Sequence, residues 1–233
     1  MSRAGIPWRE VGKIRALMES MAPEGAFTHF HSAELDDGTL AEQERRFRDA
    51  LAQLPSRPPL LHTDNSAAIS RRSRSEWDLV RPGIFLYGVG SGPGATVQPE
   101  PVVHLRAPIV EIRNLNPGDT VSYDATFRAE RPCRIATLNV GYADGYPRAL
   151  SGVGSVLVKG AIVPVAGRVT MDMTMIDVTT VSCDIGEQAT LIGRSGNTTL
   201  TVERVADAAG MSPYEVLTGL RSRIERVYTG PAK

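Results

Sequence analysis

The hydrophobic pattern of this chain changes its period once, and that change requires two differently built parts. Through roughly the first 95 residues, helical spacing alternates with short apolar runs. Thr39-Leu40-Ala41-Glu42 reads as a capping box, a hydroxyl before a helix and a carboxylate three residues on. Phe47, Ala50, Leu51 and Leu54 then recur at helical spacing, which predicts a helix of about four turns with one buried face. Ala26-Phe27-Thr28-His29-Phe30 precedes it as a short buried strand, and Pro59-Leu60-Leu61-His62 follows as another. Strand, helix and strand in that order predict a βαβ unit with parallel strands.

The change falls in Gly88-Val89-Gly90-Ser91-Gly92-Pro93-Gly94, followed by Pro99 and Pro101, a turn-rich connector. Its Gly-x-Gly is not a dinucleotide loop, because Pro93 blocks a clean helix start and no acidic ribose partner follows. Beyond it the period is two. Val121, Tyr123, Ala125 and Phe127 alternate with Ser122, Asp124 and Thr126 as a strand. Val156-Leu157-Val158 and Ile162-Val163-Pro164-Val165 flank Lys159-Gly160-Ala161 as a hairpin, and Thr170 to Val178 is a strand rich in β-branched residues and methionine. Two short helices follow, starting at Thr201 and Ser212, the second carrying a capping box with proline at its first position. The fold class is α/β plus mainly β, with residues 1–95 as one domain and 96–233 as the other.

Composition narrows the partners. With 26 basic and 26 acidic residues the formal charge is zero, so no global field draws nucleic acid or an anionic membrane. Arg71-Arg72-Ser73-Arg74 reads as a solvated face. Cys133 and Cys183 have neither metal-ligand spacing nor a disulfide framework, and read as buried free thiols in a reducing cytoplasm. The first residues lack the apolar core of a signal peptide, and no run approaches the roughly 20 apolar residues of a membrane span.

Five stretches carry chemistry when read together. They are Thr28-His29-Phe30, His62-Thr63-Asp64-Asn65-Ser66-Ala67-Ala68, Arg81-Pro82-Gly83-Ile84-Phe85-Leu86-Tyr87-Gly88, Gly141-Tyr142-Ala143-Asp144-Gly145-Tyr146-Pro147-Arg148 and Ala166-Gly167-Arg168-Val169-Thr170-Met171-Asp172. Singly, each has a plainer explanation. Asn65-Ser66 also fits a helix cap, Arg81-Pro82-Gly83 a surface turn, and Gly-Tyr-x-x-Gly a structural turn with a packed aromatic. In this order, from the first residue to about Tyr228, they resemble the alanine racemase family.

That resemblance implies the C-terminal half of a (β/α)8 barrel binding pyridoxal 5′-phosphate, followed by a β-rich C-terminal domain. It implies racemisation of L- and D-alanine, supplying D-alanine to peptidoglycan, by a homodimer in which Tyr142 serves the partner's barrel. Tyr142 corresponds to one of two bases on opposite faces of the bound substrate. An ordinary tyrosine titrates near ~10, so such a base needs positive charge or hydrogen bonds around it. Ser66 and the Gly83-Ile84 backbone correspond to phosphate contacts. Arg81 corresponds to the guanidinium facing the pyridine nitrogen, which stays protonated and leaves the ring a weaker electron sink. His29 corresponds to a link between that arginine and the tyrosine, and Arg3, Met171 and Asp172 to substrate contacts. His31 would share the strand face of His29, with no third metal ligand. Ser222 falls near a position where some members place a tyrosine on the phosphate. Methionines at 171, 173 and 175 otherwise read as a buried strand face, and Tyr123 as a structural strand residue.

Two departures stand out: Asp124 where glycine is common, and Asp64 where alanine is common, two residues from Ser66. A carboxylate at 64 would repel phosphate if it pointed inward. A larger departure is that nothing resembles the family's lysine segment, Lys-Ala-Asn-Ala-Tyr-Gly-His-Gly. The lysines are Lys13, Lys159 and Lys233, none suited to a Schiff base, and only about 95 residues precede the connector where a full barrel takes roughly 250. The expectation is a chain inactive and poorly stable alone, with open parallel strand edges, giving no trapped lysine adduct with the cofactor. Two alternatives remain: a non-catalytic remnant that associates with a full-length racemase, or a serine or broad-specificity racemase.

Overall fold

A computed structural model describes residues 1–92 and 94–230. Pro93 of the connector and Lys233 lie outside the described residues. The chain divides into two compact units, Met1–Glu100 and Pro101–Lys233.

In the first unit, α1 (Arg15–Met21) leads into β1 (Gly25–Phe27), α2 (Thr39–Leu51), β2 (Leu60–Asn65), α3 (Ser66–Arg71) and β3 (Leu79–Arg81). The expected βαβ unit is present: β1 and β2 pair in parallel, Gly25 opposite Leu60 and Phe27 opposite His62, and β3 adds in parallel on the other edge of β2. The first strand is shorter than expected and open to solvent. Pairing stops at Phe27, whose ring is 65% exposed, leaving Thr28, His29 and His31 in the loop beyond the strand end. The capping box at Thr39 does not form. Gly38, in the left-handed region, is the N-cap, and Asp37 accepts from the Thr39 amide at 2.9 Å. Glu42 binds Arg45 and Arg46 instead. Phe47 is buried as the periodicity requires. Phe30, Ala33 and Ala68 form a small core packed against Leu40 and Ala67.

The second unit begins with β4 (Leu105–Leu115), β5 (Thr120–Val121), β6 (Phe127–Arg128) and β7 (Cys133–Leu138). There follow β8 (Ser155–Val158), β9 (Ala161–Pro164), β10 (Thr174–Asp177), β11 (Gln188–Ser195), β12 (Thr198–Leu200), α4 (Val202–Ala209) and α5 (Pro213–Gly219). Seven of these strands form one antiparallel sheet, ordered β10-β7-β4-β11-β8-β9, with β12 also on β11. An antiparallel bridge between Val165 and Ile176 brings the two ends of that order together, so the sheet curls back on itself. Ile109, Leu138, Val156, Leu157, Val158, Val163, Ile176, Leu191 and Ile192 are all under 2% exposed, and since neighbours such as Val156, Leu157 and Val158 point to opposite faces, both faces of the sheet are covered there. Closure of this kind removes open edges and buries branched side chains from every strand.

The hairpin at 155–164 is present, turning on Lys159 and Gly160, both at positive φ as a two-residue turn demands. Both final helices start where their caps predict, with Thr201 accepting from the Arg204 amide and Ser212 and Glu215 closing a full capping box. The alternating strand at 121–127 is not continuous. β5 and β6 are two residues each, separated by a 3-10 turn at Tyr123–Ala125. Ser122, Asp124 and Ala125 sit at positive φ, and Tyr123 is 70% exposed rather than packed in a strand. The 170–178 strand is likewise only β10. Met171 and Met173 lie before it and are about half exposed, so the expected methionine face does not form. Cys133 and Cys183 are free and buried. No helix among the described residues is long and apolar enough to cross a membrane.

Candidate functional site

Each unit carries one cluster of chemistry-bearing residues, built from strand ends and tight turns. In the first unit Arg81 ends β3, and its guanidinium lies across the C-terminal ends of all three strands. It donates to the main-chain carbonyls of Thr28 at 2.9 Å and Thr63 at 3.0 Å, to Nδ1 of His29 at 3.2 Å, and to Nδ1 of His62. A guanidinium has no acceptor, so both imidazoles offer a bare Nδ1 and hold their proton on Nε2. The electrostatics agree. Burial and then the Arg81 charge hold His29 and His62 below the ordinary histidine value, with Arg3 adding to the effect at His29. Burial also draws Arg81 down, opposed by Asp64, but a guanidinium starts so high that it keeps its proton. Phe27 stacks on His62 with ring centroids 5.0 Å apart, and Arg81 stands 5.5 Å over the Phe27 ring.

Ser66 lies just past the end of β2. Asn65 takes the helix-capping role, accepting from the Ala68 amide at 3.1 Å. This frees the Ser66 hydroxyl, whose oxygen accepts from the amides of Gly83 at 2.8 Å and Phe85 at 3.4 Å. The hydroxyl keeps its own proton to donate, and the two amides aimed at its oxygen gather main-chain donors at the same place, the kind of set an oxyanion draws on. Ile84, between those donors, is buried. The donors here fit a phosphate, and Arg81 fits a ring nitrogen acceptor.

Asp64 turns away from solvent entirely. It is fully buried, accepts from the Thr63 hydroxyl at 2.7 Å and pairs with Arg72 at 3.3 Å. Arg72 also grips Glu44 of α2 with two hydrogen bonds, and Trp77 donates to the same carboxylate. Thus Arg72 is a part-buried cross-link between β2, α2 and α3, which corrects the reading of the arginine run as a solvated face. Asp124, the other departure, pairs with Arg168 at 2.6 Å.

In the second unit Tyr142 sits on a tight turn, 40% exposed. Its amide donates to Thr170 O at 3.0 Å, and that of Ala143 to Met171 O at 3.0 Å, so the turn lies directly on the segment carrying Met171 and Asp172. Gly141 is obligatory here, since a Cβ would collide with the carbonyls of Thr170 and Met171. Asp144 closes the turn by accepting from the Gly141 amide at 2.9 Å, and the amides of Asp144 and Tyr146 both return to Gly141 O. Tyr146 is wholly buried, its hydroxyl has no partner among the described residues, and burial raises its pKa.

The fold therefore gathers His29, Arg81, Ser66 and Gly83 around the strand ends of the first unit, with the charge of Arg3 felt at His29. In the second unit it gathers Tyr142, Met171 and Asp172. His31 does not join the cluster: beyond the strand end it contacts Ser32 and Gln43. Sequence reasoning assigned no role to His62, the Phe85 amide, Asp144 or Arg223. His62 was recoverable, since parallel pairing sets it within β2 opposite Phe27, the last residue of β1. The Phe85 amide was not, because a main-chain donor leaves no mark in residue type.

Comparison with known proteins gives a consistent result. Residues 102–228 match the model of the alanine racemase C-terminal domain, and residues 1–91 that of the alanine racemase N-terminal domain. An alanine racemase of Halothermothrix orenii is 39% identical over 98% of this chain and 63% of its own length. That of Methylacidiphilum infernorum is 38% identical over 94% of this chain and 56% of its own. Among solved structures, the Bacillus anthracis alanine racemase with bound L-Ala-P superposes with a TM-score of 0.90 at 34% identity, covering 100% of this chain and 63% of that one. The Bartonella henselae alanine racemase with covalently bound pyridoxal phosphate gives 0.88 at 33%, covering 98% and 64%. The chain thus spans between 56% and 64% of the length of these relatives.

Proposed function

The chain belongs to the alanine racemase family, and from that premise we propose that its protein interconverts L- and D-alanine with pyridoxal 5′-phosphate, supplying D-alanine for peptidoglycan. The observation that carries the reading is the fixing of Arg81. The carbonyl of Thr63 in β2, that of Thr28 just past β1 and two neutral imidazoles hold one permanent cation in the first unit. When bound, the cofactor draws electron density from the substrate and so acidifies its α-hydrogen.

The residues of this chain divide the remaining work. Ser66, Gly83 and Ile84 hold the phosphate, with the Phe85 amide as a further donor. Arg81 would face the ring nitrogen and, having no proton to yield at working pH, would leave it unprotonated, which would favour return of the α-proton over side reactions. His29 and His62 keep the guanidinium aimed. Tyr142 moves a proton at its phenolic oxygen on one face of the substrate. Arg3, Met171 and Asp172 meet the substrate's polar end. Residues 1–95 are the cofactor-binding part and 96–233 the part that brings Tyr142. In the homodimer proposed for the whole protein, that tyrosine serves the partner's cofactor. A cytoplasmic location belongs to the same reading and is supported by the two free thiols.

Lys13, the lysine of the first unit, is in an exposed ion pair with Glu10 on a 3-10 segment, and Lys159 is on a hairpin turn paired with Glu187. That favours a second reading of the 233 residues by themselves: they hold the cofactor without a covalent link and turn over little alanine. Titration with pyridoxal 5′-phosphate tests both. We expect saturable binding, weakened about tenfold or more by Ser66→Ala or Arg81→Ala. D-alanine formed from L-alanine, measured with a D-amino-acid oxidase, should fall at least about a hundredfold in Tyr142→Phe wherever turnover is seen. Binding indifferent to Ser66 and Arg81 would sink the assignment. Binding without turnover would support the second reading.

A further inference from the structure

Three segments of the second unit meet at the Tyr142 turn, and one side chain joins all three. Arg223 follows α5. Its Nε lies 3.3 Å from Oδ1 of Asp144, the residue that closes the turn, and an Nη donates to Oδ1 of Asp172 at 2.7 Å. The backbone repeats the connection: the Arg221 amide donates to Asp144 O at 2.9 Å, and a Cβ on Gly145 would collide with the carbonyl of Gly219. Asp144 is nearly buried and spends its other carboxylate oxygen on the Gly141 amide. Arg223 thus sets its one positive charge between two carboxylates, one on the turn and one on the Met171–Asp172 segment.

We propose that Arg223, acting through Asp144 and Asp172, is a positioning residue that fixes the Tyr142 turn in register with the Met171–Asp172 segment. Its catalytic consequence rests on the role of Tyr142 proposed above; its structural content does not. The planar fork of a guanidinium suits this task, since its donors reach both carboxylates at once, whereas neither carboxylate can bridge to the other.

Residue-resolved hydrogen exchange on the 233-residue chain tests it without cofactor. In Arg223→Ala the amides of Tyr142 and Ala143, which donate across the contact, should exchange about fivefold faster, the scale of one to two partly exposed ion pairs. Amides of β11 should keep their rates. Arg223→Lys, which keeps the charge but loses the planar fork, should restore only part of the protection, leaving the two amides about twofold to threefold faster than the parent. Unchanged Tyr142 and Ala143 rates, acceleration spread over the whole unit, or no rescue by lysine would each overturn the proposal. A positive result here alongside failed pyridoxal phosphate titration would leave the clamp standing and remove the racemase reading, and the reverse pattern would do the opposite.

Discussion

The two units solve the burial problem differently. The second closes an antiparallel sheet through the Val165–Ile176 bridge and buries branched side chains, under 2% exposed, on both faces of its strands. In the first, a three-stranded parallel sheet leaves Phe27, Leu60, Leu79 and Val80 between 44% and 65% exposed, and its side-chain order depends more on polar links such as Asp64–Arg72–Glu44. Parallel sheets normally cover both faces. Within these 233 residues, the cluster with more hydrogen-bonded chemistry lies on the sheet with the more exposed apolar side chains. Arg81 is held by carbonyls and imidazoles at strand ends, not by a tight core.

The largest effect that could break this contrast is a cavity in each unit. Leu191→Ala should cost about 4 kcal/mol and Leu61→Ala about 2 kcal/mol, because the cost grows when surroundings cannot collapse into the gap. Denaturant unfolding followed by a probe in each unit measures both, and equal costs would refute the difference in packing. Next comes Asp144→Ala, which strands the buried Gly141 amide and should cost about 1–3 kcal/mol. A loss confined to the second unit's transition sharpens the comparison. A loss in the first unit's transition breaks it.

The smallest effect is on pH dependence, and it belongs to the first unit. His29 and His62 are held below the ordinary value of 6.5 by burial and Arg81. The folded state therefore binds their protons less readily than the unfolded chain. Their contribution is fully present above 6.5 and is lost as pH falls from there toward the lowered folded values. Proton NMR should give midpoints for both rings below 6.5, and Arg81→Ala should move both upward. The first unit's melting temperature should decline on acidification through that window, with less change in the second.

Much of this was legible in the sequence. Period-two and helical patterns located both units, and caps at Thr201 and Ser212 located the last helices, because side-chain chemistry and local hydrogen bonding act within a few residues. The same locality misled at Thr39, where Asp37 and Gly38 compete for the cap, and at residues 121–127, where positive φ at three positions breaks an alternation that looks regular. The five motifs marked Arg81, Ser66 and Tyr142 as chemistry-bearing residues.

What residue types and spacing could not fix was which atoms meet. Asp64 sits in a charged motif, yet whether it faces an anion or a buried arginine depends on where α2 and α3 bring Glu44 and Arg72, some 20 residues before it and 8 after. The anchoring of Arg81 needs the carbonyls of Thr28 and Thr63, and the clamp at Arg223 joins residues 51 and 79 positions apart. Most elements could be read from residue order alone, because propensity and amphipathic period are local properties. Only the tertiary structure decided the polar partners, because a hydrogen bond requires atoms within about 3 Å, and only the packed strands and turns bring distant residues that close.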